Sequence, residues 1–165
     1  MPKPPSQPGC SWVEECNEEC DAPSLFVEDQ GVRATFLNPR GRRLRKVHYD
    51  GCYAPRDTRQ ADFIVGLIGV VDVVVELKQS DTNIKGAADQ VEETLDAWRQ
   101  DGKRAPSVAA LIVYGRIEGT KKLPGRLPRA KAVISGIVAR FVKRGTLIVI
   151  AENGARQYSF TDFMG

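Results

Sequence analysis

Hydrophobic and polar positions alternate with period two in the first half of the chain and shift to a helical period in the second. Residues 24–28 (SLFVE), 32–38 (VRATFLN) and 43–49 (RLRKVHY) read as strands. DQG and NPRG separate them, turn sequences in which Gly, Asn and Pro supply the special backbone angles. Residues 62–68 (DFIVGLI) and 70–77 (VVDVVVEL) are two further strands. The second is almost unbroken in β-branched residues, which places it at the centre of a sheet covered on both faces. From residue 84 the period becomes 3.6. Ile84, Ala87, Ala88, Val91, Leu95 and Trp98 share one stripe, opened by the capping-type residues Asp81, Thr82 and Asn83 and stopped by Gly102. SVAALIVYG (107–115) is again a buried strand. A second helix runs from about 129 to 142, with Ala130, Val133, Ile134, Ile137, Val138 and Phe141 inward and Pro128 in its first turn. TLIVIA (146–151) and RQYSF (156–160) close the sequence as strands, and residues 11–20 are assigned to a short acidic helix. The order of elements predicts an α/β sandwich, a central mixed β-sheet flanked by helices. Residues 1–9, rich in proline, are expected to form a flexible tail, and 10–165 a single domain long enough to bury a real core.

Composition leaves this picture unchanged, since 42% hydrophobic and 27% charged residues are ordinary for a globular chain. No stretch has the length of a membrane span and no charged-then-apolar leader precedes a cleavage site, so the expected compartment is the cytoplasm, without a membrane partner. A net charge of +3 does not announce a nucleic-acid binder. Its distribution says more. Arg40, Arg42, Arg43, Arg45 and Lys46 fall within seven positions, and Lys121, Lys122, Arg126, Arg129 and Lys131 form a second basic stretch. Either run taken alone reads as a solvated loop. Glu14, Glu15, Glu18, Glu19 and Asp21 make the N-terminal segment acidic. In a cytoplasmic protein disulfides are uncommon. Cys10, Cys16 and Cys20 have five and three residues between them and Cys52 is distant, a poor match to zinc-site spacing. No structural zinc or iron–sulfur cluster is therefore expected, and the cysteines read as free thiols.

Candidate chemistry collects at the end of the central strand. Glu76 and Lys78 are two apart and point to one face, while Val75 and Leu77 point to the other. A carboxylate and an ammonium at the end of a strand of valines are expensive to desolvate unless something uses them. Asp62 opens the preceding strand, and the GLIG turn can bring it beside Glu76. Two carboxylates that near repel, and a divalent cation between them resolves the conflict. Spacing alone proves little, since Asp101 and Lys103 repeat it at a helix end. Context separates the pairs: only Glu76 and Lys78 end a buried strand, follow an acid that opens a strand, and precede an amphipathic helix. On that helix Gln90, Thr94 and Ala97 form an uncharged flank beside the apolar stripe. His48 alternates with Lys46 and Asp50 and reads as a partly exposed strand histidine, with assistance to a metal site as its second reading.

These residues resemble the PD-(D/E)xK nuclease superfamily, the restriction-endonuclease-like fold. Asp62 matches its first acid, Glu76-Leu77-Lys78 its E-x-K, and Gln90 the glutamine that a subset of these families carries. Over residues 32–100 the order NPRGRRLRKVHYDG, RQADF, VVVELKQSD is similar to a group of small bacterial proteins of unassigned role, a likeness that adds Asp50 as a second-tier site residue. Two departures stand out: Ala61 replaces the proline of the superfamily name, and Thr94 stands where some relatives have an aromatic. The resemblance implies phosphodiester hydrolysis with Mg²⁺ or Mn²⁺. Asp62, Glu76 and the Leu77 carbonyl would hold one or two ions, and Lys78 would orient water or stabilise charge on phosphate oxygens. Arg42, Arg43, Arg45, Lys46, Lys121 and Lys122 would meet nucleic acid, DNA or RNA. Two alternatives remain open. One is a catalytically silent module of the same fold that binds nucleic acid or a protein partner, with homodimerisation undecided. The other is a plain ion pair of Glu76 and Lys78.

Overall fold

The computed structural model describes residues 5–56, 59–115 and 126–165, with side chains in the last stretch from residue 131. Its strands are β1 (Cys10–Glu14), β2 (Asn17–Cys20), β3 (Ser24–Asp29), β4 (Val32–Leu37), β5 (Leu44–His48), β6 (Phe63–Leu67), β7 (Val71–Lys78), β8 (Ser107–Tyr114), β9 (Ile148–Glu152) and β10 (Tyr158–Ser159). Helix α1 (Ile84–Arg99) joins β7 to β8 and α2 (Arg126–Lys143) precedes β9. Seven strands form one mixed sheet in the order β1-β2-β5-β6-β7-β8-β9. The pairs from β1 to β7 are antiparallel, whereas β7, β8 and β9 run parallel, joined by helical crossovers as parallel strands require. A second sheet, β10-β4-β3, covers one face. The fold is thus α/β, and its strand of valines lies near the centre as the pattern predicts.

Two apolar layers flank the large sheet. Val71, Val73, Val75 and Leu77 meet Leu25, Val27, Val32, Ala34 and Phe36 of the second sheet. On the other face Val74, Ala110 and Ile112 meet Ile84, Ala87, Ala88, Val91, Leu95 and Trp98 of α1, with Ile137 and Phe141 of α2 beside them. Val133, placed inward by the pattern, is 43% exposed, because Ile134, Ile137, Val138 and Phe141 already carry the packed face. At the start of β7, on the helix side, Asp72 is fully buried. It accepts hydrogen bonds from Arg45 (2.7 Å), Trp98 Nε1 (2.8 Å) and Ala105 N (2.7 Å). Gly66 lies between Arg45 and Asp72, and a Cβ there would stand 2.3 Å from the Asp72 carboxylate.

Several expectations are corrected. Residues 10–20 form the β1–β2 hairpin, not a helix, because Glu18 and Cys20 alternate inward and pair with β5. The cysteines are not free thiols. Cys10 and Cys20, directly opposed in the hairpin, are disulfide-bonded, and Cys16 is bonded to Cys52. Such bonds persist in an oxidising environment, which argues against the cytoplasm. Of the proline-rich start, residues 1–4 lie outside the described residues. Gln7, however, is tied to β3, donating to the Ser24 carbonyl at 2.6 Å and accepting from Phe26 N at 3.0 Å. Among the described residues no helix is long and apolar enough to cross a membrane.

Candidate functional site

The site begins where a strand pair ends. The β6–β7 ladder runs from Leu67↔Val71 to Phe63↔Val75 and stops, while β7 continues beside β8 to Lys78↔Tyr114. Glu76, Leu77 and Lys78 therefore keep one strand neighbour and lose the other. Asp62 takes the vacated position: its Oδ2 accepts the Leu77 N–H at 2.9 Å. The Lys78 carbonyl faces β8, accepting from Gly115 N at 2.7 Å. By the alternation of a strand, the Leu77 carbonyl points the other way, to the side of Asp62.

Asp62, Glu76, Leu77 and Lys78 line a common cleft of about 280 Å³. Gln90 of α1, Ser80 and Asn83 at the entrance to that helix, and Asp29, Gln30 and Gln79 complete its walls. Glu76 is 2% exposed, and its Oε2 has no hydrogen-bond partner among the described residues. Burial pushes its pKa up to about 10. The hydrogen bond its protonated form makes to Asp62 and the charge of Asp62 act in the same direction, against a smaller opposing effect of Lys78. Asp29 is also raised, by burial and then by Asp62 and Asp50, with Lys78 opposing. Asp50 is raised by burial and Asp62, with Arg56 opposing. Four carboxyl groups from four segments of the chain thus share one negative field, and one of them is buried with an unsatisfied oxygen.

This donor set fits a hard divalent cation. Among the described residues no three His, Cys, Asp or Glu side chains form a metal-holding group. The set on offer is two carboxylates, Asp62 and Glu76, with the Leu77 carbonyl, all oxygen ligands of the kind that Mg²⁺ and Mn²⁺ take. The orphaned Glu76 oxygen is the atom a cation would satisfy.

The structure places Asp62, Glu76, Leu77, Lys78 and Gln90 on the walls of one cleft, and sets Asp50 near enough to Asp62 to feel its charge. Gln90 reaches the backbone, its Nε2 donating to the Gln60 carbonyl at 3.3 Å. One turn further along α1, Thr94 Oγ1 accepts the Ala61 N–H at 2.9 Å. His48 does not join them. It lies on the opposite face of the sheet, with Nε2 2.6 Å from Glu18 Oε2 and its ring against Trp12.

The first basic run is dispersed for the same geometric reason. Arg45 turns to the helix face and is buried against Asp72, so it is not a nucleic-acid contact. Lys46 turns to the other face, donates to the Phe26 carbonyl at 3.0 Å and lies 3.8 Å from Glu18; burial lowers its pKa. Arg43 is exposed and paired with Glu19 at 3.0 Å, and Arg42 is exposed. Lys121 and Lys122 lie outside the described residues, as do the side chains of Arg126 and Arg129.

Sequence reasoning missed Asp29, Gln30 and Ser80, and placed Thr94 on the flank beside Gln90 without giving it a role. Gln30 carried one usable signal: it precedes Gly31 in a β-turn and adopts a positive φ of 50°, which presents Asp29 and the hairpin tip to the cleft. No protein-family model, curated protein or solved structure matches the chain.

Proposed function

We propose that this protein is a divalent-metal-dependent nuclease with a restriction-endonuclease-like fold of the PD-(D/E)xK type. The observation that carries the reading is the buried Glu76 carboxylate, left with an unpartnered oxygen beside Asp62, the Leu77 carbonyl and Lys78. A carboxyl group held at that depth is destabilising, and a cation ligand is the role that explains its retention. Asp62, Glu76 and the Leu77 carbonyl would hold Mg²⁺ or Mn²⁺, which would supply Lewis acidity for attack on a phosphodiester. Lys78, on the same strand face as Glu76, holds its ammonium at the mouth of the cleft, where negative charge grows on a phosphate during attack. Asp62 keeps one oxygen on the Leu77 N–H and lines the cleft beside Glu76. Gln90 and Thr94 anchor the backbone that leads into Asp62. The two disulfides support a working compartment that is oxidising.

A second reading is a silent relative of the same fold that binds a partner without cleaving it. The specific observation in its favour is the loss of Arg45 and Lys46 as phosphate contacts. A panel of single- and double-stranded DNA and RNA, incubated with Mg²⁺ or Mn²⁺ and with chelator, separates the two. The nuclease reading expects metal-dependent cleavage that Glu76→Ala abolishes in a folded variant. Folded wild type that cleaves no substrate in the panel overturns it in favour of the silent module.

A further inference from the structure

We infer that Thr94 is a positioning residue for Asp62, fixing the carboxylate from the side of α1; the inference rests on the metal-site reading above. Asp62 belongs to no strand, since β6 begins only at Phe63. Its place is set by tethers on either side. Its own carbonyl accepts the Tyr49 N–H at 3.1 Å, and its Oδ2 accepts the Leu77 N–H at 2.9 Å. Upstream, α1 holds the backbone. Thr94 Oγ1 takes the Ala61 N–H at 2.9 Å, and Gln90 Nε2 reaches the Gln60 carbonyl at 3.3 Å. Residues four apart lie on one helix edge, so Gln90 and Thr94 hold the carbonyl and the N–H of one peptide group, that joining Gln60 to Ala61.

Thr94 is the stronger point of the two. It is 1% exposed and sits among Val91, Leu95 and Trp98, where a hydroxyl is out of place without a partner. A buried helical threonine ordinarily bonds back to its own helix. Such a back-bond uses the hydroxyl proton and leaves the oxygen's lone pairs free, and here the oxygen accepts from another segment. Ala61 is fully buried, so its N–H has no water to turn to if Thr94 is lost. The Ala61 nitrogen is one residue from Asp62, and a shift of that peptide moves the carboxylate directly. Ala61 and Thr94 thus form a local unit in which a small residue lets the peptide approach the helix and the hydroxyl receives it.

The test is Mn²⁺ affinity of the full chain, measured by calorimetry or electron paramagnetic resonance, for wild type, Thr94→Val, Thr94→Ser and Leu95→Ala. Thr94→Val keeps the shape and removes the acceptor. Its affinity should fall by roughly 10- to 100-fold, the range for partners that orient metal ligands, and Thr94→Ser should restore most of it. Leu95→Ala, a core cavity on the same helix, should lower the melting temperature at least as much while leaving affinity near wild type. Equal affinity in Thr94→Val and wild type overturns the inference, as does an equal loss in Leu95→Ala. The nuclease reading fails separately: Thr94-dependent Mn²⁺ binding without cleavage of any nucleic acid supports the positioning role and overturns the proposed activity. Wild type that binds no Mn²⁺ overturns both.

Discussion

Replacing Glu76 by glutamine should make the metal-free protein more stable at neutral pH while removing metal binding. The carboxyl has an ordinary pKa of 4.5 and is pushed up to about 10 in the folded chain, chiefly by burial and then by Asp62. Below pH 4.5 both folded and unfolded states carry the proton, and Glu76 imposes no penalty. Between the two pKa values the unfolded chain ionises and the folded chain does not. Folding then loses ~1.4 kcal/mol for each pH unit, about 3 kcal/mol by pH 7, and the loss levels off only above the folded pKa. Glutamine has the same shape, never ionises, and its amide can donate to Asp62 as the protonated acid does. The stability gap between E76Q and wild type should therefore be near zero around pH 4 and about 3 kcal/mol at pH 7. For a chain of this size that is a rise of roughly 6 to 12 °C in Tm. Urea melts in chelator, repeated across this range, read the gap directly. Saturating Mn²⁺ should then reverse the order, because only wild type gains the binding contribution, and each cation bound should release a proton from Glu76. A gap that does not change with pH, or a less stable E76Q, refutes the reasoning.

Lys78→Ala should leave Mn²⁺ affinity and melting temperature close to wild type and lower the cleavage rate about a hundredfold or more, since charge on the phosphate loses its nearest cation; single-turnover rates at saturating metal check this. Asp72→Ala strands the buried Arg45 guanidinium together with the Trp98 and Ala105 N–H groups, and should cost about 3–5 kcal/mol in urea unfolding. Protein purified without reductant should show no free thiol among its four cysteines, with Cys10–Cys20 and Cys16–Cys52 peptides in a non-reducing digest. From loop closure alone, removing the 36-residue link should cost about 4 kcal/mol and the 10-residue link about 3 kcal/mol, measured by denaturant melts of the paired alanine variants.

The central strands and both helices were legible because their signals are local: a run of β-branched residues, and an apolar stripe of period 3.6. Glu76 and Lys78 were legible because charge at the end of a strand of valines is anomalous wherever it occurs. The β1–β2 hairpin was not, since the partners that let Glu18 point inward, His48 and Lys46, lie about thirty residues away on β5. Asp29 reaches the cleft only because one sheet stacks on another, which no periodicity encodes. The basic run is a different case. Residues 43–49 read as a strand, so Arg45 and Lys46 had to face opposite ways, and treating them as one patch set sequence proximity above strand geometry. The sharpest limit is on β7 itself. Asp72 and Glu76 share a strand and a face, and in VVDVVVEL they look alike. Arg45, Trp98 and Ala105 converge on Asp72 with hydrogen bonds, whereas Glu76 is buried with an oxygen unmet. Satisfaction by distant partners makes the first acid part of the core, and its absence leaves the second with an open oxygen, the atom to which the proposal assigns a ligand. That difference, set by residues 45, 98 and 105 rather than by the strand, is why the functional reading rests on Glu76 and not on Asp72.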